Sequence, residues 1–186
     1  MVKPEIRVLG VDDGVFTPHV AGLVPVVGVV FRGGYWLDGV MCTQIAVDGF
    51  DATGKIADMI VGSPHHGQLR VVMLNGVTFA GFNVVDIKAL NAETGLPVVA
   101  VTREKPDLAA IREALEHLPR SEERWGAVVN AGELVEVAVG RGRVFLHVVG
   151  ISVEDARRVV RLTSTRSNVP EALRVAHLIA SGVSVK

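Results

Sequence analysis

The chain has few aromatic side chains. Phenylalanine, tryptophan and tyrosine make up 5% of its 186 residues, whereas hydrophobic residues as a whole make up 49%. Proteins that hold single-stranded nucleic acid on stacking platforms need aromatic rings for each base, so this class of binding surface is disfavoured. The abundant aliphatic residues instead indicate a β-sheet covered by helices, with enough apolar material for a single domain over residues 1–186.

Neither sign of charge is in excess, and cysteine is almost absent. The 19 lysine and arginine residues face 20 aspartate and glutamate residues, which gives a net charge of -1. A positive field around the whole molecule is therefore excluded as the basis of nucleic-acid binding, although a local basic patch is not. The single cysteine, Cys42, cannot form an internal disulfide, and we interpret it as a core thiol because its neighbours are apolar.

Long hydrophobic runs are also absent. The longest, over residues 20–31, contains Pro25 and is shorter than the roughly 20 residues needed to span a bilayer. Residues 1–5 lack the apolar stretch that is typical of a signal peptide. We therefore expect a cytoplasmic protein that does not enter a membrane.

The hydrophobic pattern predicts that the chain opens with antiparallel strands. These are expected over residues 5–11, 24–31 and 35–47, with a tight glycine turn between the second and the third. After Asp51 the apolar spacing changes to that of a helix. Asp51 can cap this helix, bind a metal ion, or do both.

Strands and helices then alternate, which implies parallel pairing of the strands. Strands over residues 69–74 and 97–102 flank a helix near residues 84–93. The fold class predicted is α/β, with a mixed sheet that is antiparallel in its first three strands, then parallel, and flanked by helices. The remaining predicted features are a helix from Pro106, a charged connection over residues 119–125, a hairpin around Gly140-Arg141-Gly142, and helices after Ser152 and from Pro170.

Acidic and amide side chains lie where the predicted strands end. Asp12 follows the first strand, Asp48 and Asp51 follow the third, and Asn75 follows the fourth. Mg²⁺ takes one or two carboxylates together with water and substrate phosphate oxygens, so carboxylates from separate strands suit phosphodiester hydrolysis. The sequence therefore predicts a magnesium site, or a manganese site, at these four residues. For Asp12 and its neighbour Asp13, the alternative is a turn pair that binds nearby backbone amides.

A turn rich in glycine follows the fourth strand. Gly76 and Gly81 allow a ligand to approach the backbone, and together with Phe79 they can shape a pocket for a base or nucleotide. The alternative is a tight turn with phenylalanines in the core. Asn83 can belong to the same pocket, or it can cap the following helix together with Asp86.

Basic residues gather in the C-terminal third, where they allow two interpretations. An arginine fork suits phosphate, but acidic residues are interspersed, so these arginines can equally form a solvated helix face. His177 lies on an apolar helix, where it is either a core histidine or a general base. The arginines are Arg157, Arg158, Arg161, Arg166 and Arg174, and the acids are Glu154, Asp155 and Glu171.

Several segments together resemble a known family, and the match covers nearly the whole chain. They are similar to those of the uncharacterised, mostly archaeal domain-of-unknown-function family number ninety-nine, which is itself remotely similar to endonuclease V. The endonuclease V pattern is a Gly-Val-Asp strand that ends at Asp12, a turn at Asn75-Gly76, and a Leu-Pro strand that leads to Arg103. The segments that carry the family resemblance are residues 8–13, 47–53, 73–86, 95–99 and 169–177.

This resemblance implies a ribonuclease-H-like fold and a magnesium-dependent nuclease or phosphodiesterase. Its metal site would comprise Asp12, either Asp48 or Asp51 in place of the usual glutamate, and Asn75, with Arg103 near the scissile phosphate. Nucleic acid or a nucleotide would be the substrate. The residues expected to bind it are Gly76, Phe79, Gly81, Asn83, Arg174 and His177.

Asn75 departs from the family pattern, in which an aspartate is expected. A neutral amide still offers an oxygen, but it removes a negative charge from a site whose affinity for a dication depends on charge. Weakened or lost catalysis is the expected consequence. The alternative function is a non-catalytic module that binds nucleic acid, a nucleotide or a protein through residues 76–83, and a homo-oligomer is compatible with both.

Overall fold

The computed structural model describes residues 2–184, so residues 1, 185 and 186 of the expected domain lie outside the described range. The helices are α1 (Ala52–Val61), α2 (Ile87–Thr94), α3 (Leu108–Glu116), α4 (Ser121–Asn130), α5 (Val153–Thr163) and α6 (Glu171–Val183). The strands are β1 (Arg7–Asp13), β2 (Leu23–Arg32), β3 (Trp36–Ala46), β4 (Val71–Asn75), β5 (Thr78–Phe79), β6 (Asn83–Val84), β7 (Val98–Thr102), β8 (Val135–Val139) and β9 (Gly142–Val149). Within these residues, none of the helices combines the length and the hydropathy needed to cross a bilayer.

Seven strands form one mixed sheet in the order β3-β2-β1-β4-β7-β9-β8. The first three strands are antiparallel, β4 pairs in parallel with β1, and β7 pairs in parallel with β4. The hairpin of β8 and β9 then joins β7 in antiparallel orientation. The predicted mixed sheet flanked by helices is therefore confirmed. The short strands β5 and β6 form a separate ribbon within the glycine-rich turn.

Helices cover both faces of the sheet, which explains the continuous apolar runs of its central strands. On one face, Leu9 and Leu74 pack with Ile56 of α1 and Leu90 of α2. On the other, Met73 belongs to the core formed with α5 and α6, whose buried residues in contact with the sheet include Ala156, Ala172 and Ala176. Successive residues of a strand point to opposite faces, so β1 and β4 contribute to both cores.

Helix α6 approaches β1 very closely because Gly10 has no side chain. A Cβ atom at Gly10 would lie 2.3 Å from the carbonyl carbon of Ala172. Ala172, Ala176 and Ala180 are fully buried, and their spacing of four residues makes a narrow stripe along α6. Small side chains on both elements therefore set the height of α6 above the sheet.

Two sequence interpretations need correction. Cys42 is exposed, because β3 is an edge strand and its apolar neighbours do not all face the core. The segment over residues 119–125 is not merely a connection, since α4 begins at Ser121. Arg124 and Val128 of α4 are buried, and a buried arginine gives the sequence no apolar helical stripe to detect.

We expect Gly10→Ala to lower the free energy of unfolding by about 1–3 kcal/mol, since overpacking forces the helix away from the sheet. Chemical denaturation measures the change. Gly54→Ala is the matched control, because a Cβ there meets nothing within 4 Å and Gly54 lies in α1. This control should be neutral or stabilising by up to about 1 kcal/mol. Equal destabilisation by both substitutions would contradict the packing argument.

Candidate active site

Asp12 is the centre of a polar cluster at the C-terminal end of β1. Its side chain is buried, with 2% of the residue exposed. Asn75, at the end of β4, donates from Nδ2 to both carboxylate oxygens at 3.1 Å. Because β1 and β4 are parallel neighbours, with Val11 beside Leu74, their carboxyl ends meet at one edge of the sheet. The structure thus brings Asp12 and Asn75 into direct contact.

His177 reaches the same carboxylate from α6. Its Nδ1 lies 2.9 Å from Oδ2 of Asp12, while 59% of the His177 side chain is exposed. An ionised carboxylate only accepts hydrogen bonds, so Nδ1 donates, and Nε2 is the nitrogen that is not engaged by Asp12. His177 is therefore an exposed imidazole oriented by a buried acid, and not a core histidine.

Asp13 adds a second carboxylate beside Asp12. Its Oδ2 accepts a hydrogen bond of 2.7 Å from the backbone amide of Ala80. The pKa of Asp13 is raised to about 6, mainly because the carboxyl is buried; the hydrogen bond from Ala80 opposes this rise, and the nearby charge of Asp12 adds to it. Burial likewise raises the pKa of Asp12, although the hydrogen bond from Asn75 opposes this change. Two poorly solvated acids thus adjoin at the end of β1.

Asp48 and Asp51 bind loops of the protein instead of facing Asp12. Asp48 accepts from the amide of Phe82, and a Cβ at Gly81 would lie 2.3 Å from Oδ1 of Asp48. Asp51 accepts from the amide of Ala46. Within residues 2–184, no three acidic, histidine or cysteine side chains are grouped so as to hold a metal ion. The arrangement therefore does not unite Asp48 or Asp51 with Asp12 as a ligand set, in contrast with the sequence prediction.

Asn83 and Phe79 are buried beneath the glycine-rich turn and stabilise it, in contrast with the substrate-binding role predicted for them. Phe79 belongs to the core, and Asn83 is fully buried. Asn83 accepts from the first amide of α1, at Ala52, and donates to Asp51. Asp51 itself makes no capping hydrogen bond, so the predicted cap of α1 is supplied by Asn83. The cap predicted at Asp86 is confirmed, since Asp86 accepts from two amides of α2.

Sequence reasoning missed Arg124, which ties two turns near the site together. The residue is 2% exposed and its guanidinium stacks on the ring of Phe50 at 3.9 Å. Its side chain donates to main-chain carbonyl oxygens on both turns, and burial lowers its pKa. Arg124 thereby holds the turn that contains Asp48 against the turn that binds Asp13. The carbonyl oxygens belong to Asp48, Gly49, Phe82 and Pro119.

A surface groove of about 710 Å³ adjoins the cluster. Asn75 and His177 line it together with Arg103 and Arg174, so the structure places both predicted basic residues in one groove. A smaller depression of about 360 Å³ lies beside it, lined by Asp12, Asn75 and His177 among others. The two hollows share Asn75 and His177, and together they form an open surface beside the buried carboxylate.

The two predicted glycines lie in turns, and two of the predicted arginines lie on the surface of α5 outside the groove. Gly76 and Gly81 have φ angles of +81° and +87°, which glycine adopts without strain. Arg157 and Arg158 form ion pairs with exposed acids of α5. The solvated helix face is therefore the correct interpretation for these two arginines, while Arg174 faces the groove.

Known proteins with the same sequence pattern identify the family. The family model described as endonuclease dU matches residues 4–184. The chain belongs to the endonuclease dU family. A UPF0215 protein of Methanosarcina mazei is 48% identical over 186 residues, which cover 99% of this chain and 93% of that protein. A UPF0215 protein of Methanothermobacter thermautotrophicus is 50% identical over 185 residues, with 99% and 90% covered.

Solved structures place this member of the endonuclease dU family beside endonuclease V in fold. A protein of unknown function from Archaeoglobus fulgidus superposes with a TM-score of 0.87 at 35% identity, over 97% of this chain and 99% of that one. Endonuclease V from Bacillus subtilis gives a TM-score of 0.63 at 12% identity, over 96% and 81% of the two chains. The predicted similarity to the endonuclease V fold is confirmed, whereas the family number ninety-nine stays a prediction.

We expect Asp13→Asn to stabilise this endonuclease dU family member at pH 7–8 by about 1–3 kcal/mol. A raised pKa means that the Asp13 carboxyl contributes stability below its usual pKa of 3.8 and loses it as the pH rises through about 6. The advantage of the variant should therefore disappear near pH 4.

Urea unfolding between pH 4 and pH 8 measures this difference. Asparagine can still accept the amide of Ala80 through Oδ1, so the substitution isolates the charge. Asp58→Asn, on the exposed side of α1, controls for the loss of a carboxylate elsewhere. A stability difference for Asp13→Asn that is constant with pH would contradict the burial argument.

Proposed function

We propose that the protein is a phosphodiesterase that cleaves nucleic acid at the cluster of Asp12, Asn75 and His177. The observation that carries this proposal is a buried carboxylate that orients an exposed imidazole beside a groove with two arginines. In a neutral imidazole whose Nδ1–H is bonded to a carboxylate, Nε2 is the atom that can accept a proton. The arginines supply guanidinium donors that suit the oxygens of a phosphate backbone, in a protein with no net positive charge.

The family name supplies the first substrate to test. The name endonuclease dU refers to deoxyuridine. One structural neighbour, an endonuclease V of Ciona intestinalis, is solved with DNA that contains an inosine. Deoxyuridine and inosine are both products of base deamination, so DNA with a deaminated base is the substrate class we propose. RNA and undamaged DNA are the comparison substrates.

Asp12 and Asp13 fit a divalent cation in charge and in donor type. Both carboxylates have a raised pKa because burial disfavours their charge, and a dication would relieve this cost. Mg²⁺ needs only one or two carboxylates, since water and phosphate oxygens complete its shell, and Mn²⁺ accepts the same ligands. Asn75 could add its amide oxygen by rotating the amide group. When bound, the ion would polarise the phosphate and acidify an attacking water.

Asp12 and His177 perform the proton transfer in this proposal. His177 takes a proton from the attacking water at Nε2, while Nδ1 stays bonded to Asp12. The water oxygen bonds to phosphorus as the P–O bond to the leaving nucleotide breaks, and the leaving oxygen takes up a proton from solvent. Asp12 fixes the tautomer of the imidazole and stabilises the positive charge that it acquires. Arg103 and Arg174 hold the substrate backbone on the groove, so the reacting phosphate lies near His177.

We expect His177→Ala to lower kcat for cleavage of a deoxyuridine-containing oligonucleotide by about 10²–10⁴-fold, the usual contribution of a general base. Cleavage in Mg²⁺ or Mn²⁺, followed on a denaturing gel, is the measurement. His117→Ala removes an exposed histidine at the end of α3 and serves as the control. Full activity of the His177→Ala variant would contradict the proposed proton transfer.

The substitution Asn75→Asp distinguishes the proposed phosphodiesterase from the alternative function, a non-catalytic binding module. A third acid beside Asp12 and Asp13 should lower the Tm in EDTA through repulsion, and added Mn²⁺ or Mg²⁺ should restore it. We expect the affinity for the ion, measured by calorimetry, to rise about tenfold, which corresponds to about 1.4 kcal/mol. If the folded variant and the natural protein both leave every substrate uncut and bind no metal, the binding module is the better account.

A further inference from the structure

Glu171 is a buried carboxylate at the start of α6 that belongs to no part of the proton transfer described above. Only 2% of the residue is exposed. Its Oε1 accepts from the backbone amide of Arg166 at 3.2 Å. Its Oε2 accepts from Nε and Nη2 of Arg174 at 2.9 and 2.7 Å. A buried acid with all of these donors is fixed in position, and it fixes Arg174 in turn.

Arg174 is held by one edge of its guanidinium and is open on the other. Nε and Nη2 are bonded to Glu171, whereas Nη1 has no hydrogen-bond partner among residues 2–184. Arg174 lines the groove that also contains Asn75 and His177. The open edge is therefore available to an anion in this groove, with the guanidinium already ordered.

We infer that Glu171 is a positioning residue that sets Arg174 to bind the phosphate next to the scissile one, an inference that rests on the proposed function. Arg174 and His177 are three residues apart on α6, so they lie on one face with Cβ atoms about 5–6 Å apart. The guanidinium of Arg174 is bonded to Glu171, three residues before it, whereas His177 lies three residues after it, so the arginine is directed away from the reacting phosphate beside His177. Arg174 accordingly contacts the neighbouring phosphate of the same strand.

The ion pairs of α5 show why Glu171 differs from the other acids of the C-terminal third. Glu154 bonds Arg158, but 58% of its side chain is exposed. Exposed pairs contribute little and do not order their partners. Glu171 is buried, so its side chain cannot change conformation freely and it keeps Arg174 ordered. Arg174 therefore loses little conformational entropy when it binds a phosphate. Glu154→Gln is thus the matched control for Glu171→Gln.

The test measures binding of a fluorescent single-stranded DNA with one deoxyuridine, by anisotropy in EDTA at several salt concentrations. We expect Arg174→Gln to raise Kd about tenfold and to reduce the salt slope by about one phosphate contact. Glu171→Gln should raise Kd by about 3–10-fold, and the double variant should bind no worse than Arg174→Gln. In Mg²⁺, both single variants should raise KM by a larger factor than that by which they lower kcat, since the arginine mainly binds the substrate.

A second readout follows the arginine itself. In the natural protein the Nε proton of Arg174 should give an NMR signal protected from exchange, and Glu171→Gln should lose this protection while the remaining spectrum is kept. Additive effects of the two substitutions, or unchanged binding in Glu171→Gln, would overturn this inference alone. If the natural protein does not bind the DNA at all, the inference and the proposed function fail together.

Discussion

The close packing of α6 on β1 is the contact on which the candidate site depends. Gly10 admits the backbone of α6, and the alanine stripe of the helix keeps it near the sheet. Two residues beyond Gly10, Asp12 therefore lies within a hydrogen bond of His177, although 165 positions separate them in the sequence. A larger side chain at Gly10 would separate the acid from its imidazole without touching either.

The charges of the two adjacent acids, Asp12 and Asp13, are compensated by their immediate neighbours. Asp12 and Asp13 adjoin in a poorly solvated place, where repulsion is limited by the neutral amide of Asn75 and by the imidazole of His177. An aspartate in place of Asn75 would add a third charge that only a cation could compensate. The groove beside these acids is lined by Arg103 and Arg174 together with Glu104, and Arg174 is paired with Glu171, so basic and acidic side chains also alternate there.

Two residues in the turns behind the site have strained backbone conformations, and one buried arginine holds these turns in place. Asp48 and Ala80 both have positive φ angles, of 50° and 42°, although neither is glycine. Such conformations persist only where surrounding contacts enforce them. Arg124 supplies these contacts through carbonyl oxygens on both turns, and Ala80 in turn binds Asp13. The two turns and Arg124 thus hold the acidic end of β1 in position, and Asp48 is a structural residue of these turns.

The sequence by itself determined the strands of the sheet and the position of Asp12 and Asn75 at strand ends, and its resemblance to endonuclease V implied that the two residues meet. Periodic apolar runs report local burial, and residues that follow neighbouring parallel strands must share an edge. Only the tertiary structure decided the partners of the long polar side chains: Arg124 on carbonyl oxygens, Glu171 on Arg174, and His177 on Asp12. A charged residue has the same local pattern whether it faces water or a buried partner, since that partner comes from a distant segment. For this reason α4 was missed, and Asp48 and Asp51 were expected beside Asp12 instead of on the turns that they hold.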